Sequence, residues 1–154
     1  MHQDVEHTLL LVEDSPEDLE ATLRALARTG RERAVRHCAD GDEALDYLLR
    51  RGRFAGRGAA PRPSLVLLDL NLPGIDGREL LGELKSHPEL RAIPVVVLTT
   101  SDDPQDVDAC YLAGASGYVQ KPVLHEDLVG ALRRLEDFWF GTVELPTPER
   151  EARA

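Results

Sequence analysis

The sequence predicts a doubly wound α/β domain, in which one parallel sheet is covered by helices on both faces. Short apolar runs alternate with amphipathic segments along most of the 154 residues. The runs are apolar at successive positions, as in strands buried on both faces, and the segments between them are long enough to connect parallel strands. A hydrophobic content of 42% supports one domain with a substantial core.

Five short runs have the composition of strands. The most apolar are TLLLV (8–12) and SLVLLD (64–69), and PVVVLTT (94–100) is rich in β-branched residues. AVRHC (34–38) is partly polar and is expected at an edge of the sheet, and SGYVQ (116–120) supplies the fifth strand.

Five helices are predicted between and after these strands. The first covers residues 15–30, with Ser15 and Pro16 at its start and Gly30 at its end. The others are predicted over residues 40–52, 77–87, 103–114 and 124–140. Residues 52–63, rich in Gly, Arg and Pro, are expected to form an extended solvated loop, with docking to an acidic partner as the alternative role of its arginines.

This order of elements predicts the topology. Five β–α units in succession, joined by right-handed crossovers, give the flavodoxin-like (βα)5 arrangement with strand order 2-1-3-4-5. Residues 1–141 are expected to form this domain. The polar tail over residues 142–154 is expected to be extended or disordered.

Charge and composition narrow the function classes. The formal net charge of −10 disfavours binding to nucleic acids and to anionic membrane surfaces. No apolar run approaches the roughly 18–20 residues needed to span a bilayer, and the N-terminus does not resemble a signal peptide, so a cytoplasmic protein is expected. Cys38 and Cys110 lack metal-site or redox spacing and are expected to be reduced thiols.

Acidic residues end two strands that the predicted topology makes neighbours. Glu13 and Asp14 follow the first strand, and Asp69 ends the third. In such sheets, ligands bind beyond the carboxyl ends of the strands, where the strand order switches. Three clustered carboxylates repel one another and favour a bound cation; oxygen ligands favour Mg²⁺ or Ca²⁺, and a small site that keeps waters favours Mg²⁺.

Two further strands bring a hydroxyl and an ammonium to the same edge. Thr99 lies at the end of the fourth strand, and Lys121 follows the fifth. A carboxylate nucleophile, a cation, an ammonium and a hydroxyl donor are the groups that phosphoryl transfer needs. The plainer alternatives are a turn-capping role for Asp69 and a surface position for Lys121. The bond between Lys121 and Pro122 is a candidate cis peptide beside the site.

Four motifs in order carry a resemblance to a known family. They are LLLVEDSPED, LVLLDLNLPGIDG, VVVLTTS and AGASGYVQKP. Together they resemble the response-regulator receiver domains of two-component signalling, over residues 8 to 137. The resemblance implies that a histidine kinase phosphorylates Asp69. It also implies that Mg²⁺ is held by Glu13, Asp14, Asp69 and the backbone carbonyl of Asn71.

The same resemblance implies roles for three residues on the last two strands. Thr99 and Lys121 would bind the phosphoryl oxygens. Tyr118 matches the aromatic residue that changes rotamer when the threonine moves toward the phosphoryl group, its alternative being a half-buried strand aromatic. The output would be a conformational change at the face formed by the fourth helix, fifth strand and fifth helix, without classical enzyme activity beyond assisting the protein's own phosphorylation and dephosphorylation.

A narrower resemblance concerns the partner. DGDEALDYLLRRGRFAG, LDLNLPGIDG, IPVVVLTTS and LEDFWFGTVELP resemble the single-domain regulators that partner bacterial and cyanobacterial phytochromes. This implies a bacteriophytochrome-type sensor kinase and a homodimer through the face just named. The candidate interface residues are Tyr111, Leu128, Leu135, Phe138, Trp139 and Phe140. The alternative is that the aromatic residues at 138–140 fold back on their own domain.

Two other function classes were compared with this interpretation. A metal-dependent phosphatase of the haloacid dehalogenase type needs a second aspartate two residues after the nucleophile, where this chain has Asn71. A flavodoxin-like ligand-binding module is disfavoured because no glycine-rich phosphate loop follows the first strand.

Overall fold

The computed structural model describes residues 7–31 and 33–146 of the chain. Five strands, β1 to β5, cover Thr8–Val12, Ala34–Cys38, Leu65–Leu68, Val95–Thr99 and Gly117–Gln120. Five helices, α1 to α5, cover Pro16–Arg28, Gly41–Leu48, Gly77–Ser86, Pro104–Leu112 and His125–Gly141. Every predicted strand and helix is present in these residues.

The strands form one parallel sheet in the order β2-β1-β3-β4-β5, which confirms the predicted topology. Strand β1 lies inside the sheet, between β2 and β3, and all five of its residues are buried. Leu10 and Val12 belong to the core beneath α2, α3 and α4, whereas Leu9 and Leu11 belong to the core beneath α1 and α5. Burial on both faces explains why apolar residues occupy successive positions in this strand.

Helices α1 to α4 begin at polar side-chain caps, α5 has no such cap, and α2 ends earlier than the sequence predicts. The hydroxyl of Ser15 accepts from the N–H of Asp18 at 3.3 Å. Helix α2 ends at Leu48 because Arg50 adopts a left-handed conformation with φ of 54°. The following loop is not extended throughout, since Gly52–Phe54 forms a short 3₁₀ turn.

The loop after α2 is fastened to that helix. Arg62 donates to the carbonyl of Leu48 at 2.8 Å, and the hydroxyl of Tyr47 donates to the carbonyl of Pro61 at 2.7 Å. Arg50 donates to the carbonyl of Ala60 at 3.2 Å. Arg62 in the loop and Arg50 just before it therefore hold the loop in place as well as adding charge.

Other expectations concern residues at the edges of the fold. Cys38 and Cys110 are buried free thiols. Residues 142–146 follow α5 without a helix or strand, and the rest of the predicted tail, 147–154, lies outside the described residues. Within the part of the chain that the structure describes, no helix is long and apolar enough to cross a membrane.

Gly77 lies where α3 approaches the loop that follows β3. Its N–H donates to the carbonyl of Leu70 at 3.0 Å. A Cβ at this position would lie 2.5 Å from the carbonyl oxygen of Asp69 and 2.6 Å from the Cα of Leu70. Glycine therefore allows the start of α3 to contact the backbone that carries Asp69.

The C-terminal half of α5 is joined to the segment before β2 by a buried ion pair. Arg33 pairs with Glu136, and their side chains are only 6% and 4% exposed. The Arg33 guanidinium lies 4.1 Å from the ring centroid of Phe140, and that ring is 5.2 Å from the ring of His7. These contacts hold the last turns of α5 against the domain.

Replacing Gly77 by alanine is expected to lower the free energy of unfolding by about 1–3 kcal/mol, because backbone atoms must move to admit the methyl group. Gly82→Ala is the matched control, since nothing lies within 4 Å of a Cβ there. That control is expected to raise the free energy by about 0.5–1 kcal/mol, because alanine favours the helix. Urea unfolding measures both, and equal effects would contradict the close approach at Gly77.

Glu136→Gln is expected to lower the free energy of unfolding by about 3–5 kcal/mol, because it leaves the buried charge of Arg33 unpaired. Asp137→Asn breaks the neighbouring pair with Arg31, whose side chains are 60% and 37% exposed. That control is expected to lower the free energy of unfolding by less than about 1 kcal/mol. Similar losses in the two variants, measured by urea unfolding, would show that burial does not strengthen the Arg33–Glu136 pair.

Candidate functional site

Three carboxylates converge where β1 and β3 end. The strands pair in register with Val12 opposite Leu68, so the residues that follow them are also neighbours. Glu13, Asp14 and Asp69 each place one carboxylate oxygen within 4.8 Å of the other two. Glu13 and Asp69 are 2% and 8% exposed, whereas Asp14 faces solvent.

The Lys121 ammonium lies among these acids. Its Nζ is 2.5 Å from Glu13 Oε1, 3.3 Å from Asp18 Oδ2 and 3.6 Å from Asp69 Oδ2. Asp18 was not singled out from the sequence. The available signal was its place in the first turn of α1, which begins directly after the acidic pair and so returns a carboxylate to the same edge.

Burial and charge set the protonation of this cluster. Burial of Glu13 and its hydrogen bond with Asp69 raise the pKa of Glu13 to about 7, although Lys121 acts in the opposite direction. Burial alone would lower the pKa of Lys121, but the hydrogen bond to Glu13 and the surrounding negative charges raise it overall. Lys121 therefore stays charged at neutral pH and offsets part of the acid cluster.

The donor set of this cluster fits a hard divalent cation. All three side chains offer carboxylate oxygens, which are the ligands that Mg²⁺, Ca²⁺ and Mn²⁺ accept. The exposed side chain of Asp14 leaves one side of the cluster open to water. Asn71 lies two residues beyond Asp69, and its backbone N–H donates to Asp69 Oδ1 at 3.3 Å.

Thr99 and Tyr118 lie on the adjacent strands β4 and β5. Thr99 ends β4 and is fully buried, and its hydroxyl accepts from the N–H of Ser101 at 3.5 Å, the limit of a hydrogen bond. Tyr118 is half-buried on β5, packs against the core, and donates from its hydroxyl to the carbonyl of Ser101 at 2.9 Å. Ser101 therefore contacts both residues, a role that the sequence did not indicate.

The turn after β5 corrects one expectation. The N–H of Lys121 donates to the carbonyl of Thr99 at 2.6 Å, which extends the pairing of β4 and β5 to the site. The Lys121–Pro122 bond is trans, because no peptide bond within residues 7–31 and 33–146 is cis. The candidate cis assignment was wrong; even before proline, the trans isomer is favoured by about 0.5–1 kcal/mol, and a turn position does not by itself reverse that preference.

The six candidate interface residues separate into two groups. Tyr111 on α4 and Phe138 on α5 are 50% and 49% exposed. The others belong to the core beneath α1 and α5 or pack against it: Leu128, Leu135, Trp139 and Phe140. Trp139 and Phe140 therefore pack on their own domain, as the alternative interpretation predicted. Tyr111 and Phe138 remain accessible to a partner.

Comparison with known proteins agrees with this geometry. Residues 9–133 match the sequence profile described as the response regulator receiver domain. The chain is 41% identical to the response regulator Rcp1 of Synechocystis, over 90% of this chain and 92% of that protein.

Solved structures extend the comparison. The phosphorylated cyanobacterial phytochrome response regulator RcpA is 40% identical, with a TM-score of 0.86 over 93% of this chain and all of that one. The Mn²⁺-bound form of Rcp1 is 40% identical, with a TM-score of 0.83 over 92% of this chain and 99% of that one. The bacteriophytochrome response regulator RtBRR is 42% identical, with a TM-score of 0.74 over 96% of this chain and 89% of that one.

The match covers all five strands and the acidic site. Receiver domains are signalling modules that bind a divalent metal, and the carboxylates of this site have the chemistry for one. The chain belongs to the response regulator receiver domain family.

Proposed function

We propose that this protein accepts a phosphoryl group from a sensor histidine kinase onto Asp69, in a reaction that depends on Mg²⁺. One observation carries the proposal. The carboxylate of Asp69 lies within 4.8 Å of two other carboxylates and 3.6 Å from an ammonium, at the edge where parallel α/β sheets bind ligands. Membership of the receiver domain family supports the same reaction.

The transfer proceeds by attack of an Asp69 carboxylate oxygen on the phosphorus of a phosphohistidine. The new O–P bond forms as the P–N bond breaks, and the electron pair of that bond leaves with the imidazole. Lys121 and Thr99 bind the phosphoryl oxygens. The same groups assist hydrolysis of the acyl phosphate, so the protein participates in its own phosphorylation and dephosphorylation.

Glu13, Asp14, Asp69 and the backbone carbonyl of Asn71 would hold the metal. Mg²⁺ supplies charge neutralisation for the phosphoryl oxygens and for the clustered carboxylates. The Mn²⁺-bound structure of Rcp1 supports a divalent cation in a relative of this chain. Because Glu13 is buried and Asp14 is exposed, we assign the more direct metal contact to Asp14.

The response is transmitted through Thr99 and Tyr118 to the face formed by α4, β5 and α5. The similarity to RcpA, Rcp1 and RtBRR, two of which are named as phytochrome or bacteriophytochrome regulators, supports a phytochrome-type kinase as the partner. The net charge of −10 supports a protein that binds neither nucleic acid nor anionic membrane surfaces. We place the protein in the cytoplasm, as its sequence without a signal-peptide pattern suggests. We place the end of the receiver domain at residue 141, with residues 142–154 as its tail.

The same face supports a homodimer. Strand β5 lies at the edge of the sheet, and Tyr111 and Phe138 project large exposed aromatic rings from the helices on either side of it. Aromatic residues are enriched in protein interfaces because they bury large areas at low entropic cost. A second copy of this chain is therefore the proposed occupant.

Incubation with Mg²⁺ and acetyl phosphate is expected to add one phosphoryl group to the wild-type protein, as measured by intact mass. Asp69→Asn should abolish the adduct, because the acceptor oxygen is lost. Chelation of the metal with EDTA should suppress it as well. An adduct that persists at the wild-type level in Asp69→Asn would refute the assignment of the acceptor.

Asp14→Asn separates the metal role from the acceptor role. This variant keeps Asp69, so it should still be phosphorylated, but at Mg²⁺ concentrations at least tenfold higher than wild type requires. Asp42→Asn, an exposed carboxylate on α2, is the control for a change in net charge. If Asp14→Asn and Asp42→Asn require the same Mg²⁺ concentration, Asp14 is not a metal ligand.

The double variant Tyr111→Ala, Phe138→Ala is expected to weaken dimerisation by at least roughly 30-fold, because truncating a central aromatic residue typically costs about 2 kcal/mol or more. Light scattering across a concentration series measures the dimer fraction, with and without phosphorylation. Leu23→Ala, which truncates a 38% exposed leucine on α1, is the control. If the wild-type protein is monomeric both with and without phosphorylation, the dimer proposal is wrong.

A further inference from the structure

A second polar cluster lies between α3 and α4, outside the acidic site. Arg78, in the first turn of α3, donates from Nη1 to the two carboxylate oxygens of Asp76 at 3.0 and 3.1 Å. The same guanidinium donates from Nε and Nη2 to Oδ1 of Asp106, in the first turn of α4, at 3.1 and 2.5 Å. One arginine thus joins the N-terminal ends of two helices.

Asp106 passes this link on to the loop after β4. Its second oxygen, Oδ2, accepts from the hydroxyl of Ser101 at 2.6 Å. Ser101 in turn accepts from the hydroxyl of Tyr118 through its carbonyl and donates to Thr99 through its N–H. We call the chain Arg78–Asp106–Ser101 the α3–α4 tether.

The other end of the tether reaches the phosphorylation loop. Arg78 follows Gly77, whose N–H donates to the carbonyl of Leu70 and which packs too closely against the carbonyl of Asp69 to admit a Cβ. The start of α3 is therefore fixed against the backbone that carries the acceptor. A path of direct contacts runs from that backbone through α3 and the tether to Tyr118, and it does not pass through the side chain of Thr99.

The charges on the tether are stable at neutral pH. Hydrogen bonds from Ser101 and then from Arg78 lower the pKa of Asp106. The hydrogen bond to Asp106 is the main cause that raises the pKa of Arg78. Both groups remain ionised wherever the protein is folded near neutral pH, so the tether acts as a fixed positioning element rather than as a pH switch.

We propose that Arg78 and Asp106 are positioning residues that hold the carbonyl of Ser101 in place as the acceptor for the Tyr118 hydroxyl, and so keep Tyr118 turned inward. The proposal rests on the proposed function, since it concerns how phosphorylation at Asp69 reaches the α4–β5–α5 face. Residues 100–103 join β4 to α4 without strand pairing, and Ser101 is the loop residue that the tether clamps. Loss of the tether frees that loop and lets Tyr118 turn toward solvent.

The test follows the ring of Tyr118 by ¹⁹F NMR in protein labelled with 3-fluorotyrosine, with the resonance assigned by Tyr118→Phe. The variants are Asp106→Asn, Arg78→Gln, their combination, and Ser101→Ala, which removes only the hydroxyl. Asp108→Asn is the matched control, because it removes an exposed carboxylate from the same helix. Solvent exposure of the ring is measured with a soluble paramagnetic agent, and phosphorylation by intact mass.

Each tether variant is expected to increase the solvent relaxation of the Tyr118 resonance at least twofold before phosphorylation, and to reduce the shift caused by phosphorylation at least twofold. The double variant should change the solvent relaxation of Tyr118 no more than either single variant does, because both residues act through one chain of contacts. Asp108→Asn should match wild type. Phosphorylation itself should persist in every variant.

Wild-type values for Tyr118 in Asp106→Asn and Ser101→Ala would overturn the proposal, as would additive effects in the double variant. If Arg78→Gln fails to fold, Ser101→Ala still decides the outcome, because it leaves both charged residues in place. Failure of the wild type to be phosphorylated would refute the proposed function instead. The comparison of Tyr118 exposure among unphosphorylated variants would still decide whether the tether positions the ring.

Discussion

The repulsion between the carboxylates at the ends of β1 and β3 is the constraint on which the site depends. Glu13 and Asp69 are nearly buried, and their negative charges are tolerated because the Lys121 ammonium lies between them. Burial of Glu13 and its hydrogen bond with Asp69 still raise its pKa to about 7, although Lys121 acts in the opposite direction. A cluster of this kind favours a divalent cation and an arriving phosphoryl group with its metal, and this affinity is the chemical basis of the proposed function.

The packing of the sheet brings these charged side chains together. The two cores on opposite faces of the sheet hold β1 and β3 in register, so residues far apart in sequence emerge side by side. The close approach at Gly77 then sets α3 against the acceptor loop, and the pairing of Lys121 with the carbonyl of Thr99 continues β5 up to the site. The paired strands therefore position the reactive groups that lie at or just beyond their ends.

The sequence was sufficient to predict the site residues whose position follows from strand order. It was not sufficient for contacts that depend on side-chain rotamers. Asp69 could be placed at the site because strand order alone brings the strand ends together. Arg78 could not, because its contact with Asp106 on α4 depends on rotamers and on helix position. Asp18 could be placed at this edge from the start of α1, but its contact with Lys121 depends on rotamers in the same way. The early end of α2 at Leu48 follows from a left-handed residue that is not a glycine, which composition does not reveal. The isomer before Pro122 depends on a small energy difference that a motif does not fix.

The most direct test of the account is the chemical identity of residue 69 after phosphorylation. Borohydride reduces an aspartyl phosphate to homoserine, and peptide mass spectrometry then locates the converted residue. The account predicts homoserine at position 69, and only when both the phosphodonor and Mg²⁺ are present. Homoserine at position 14, or conversion at no aspartate in a protein that carries a phosphoryl group, would contradict it.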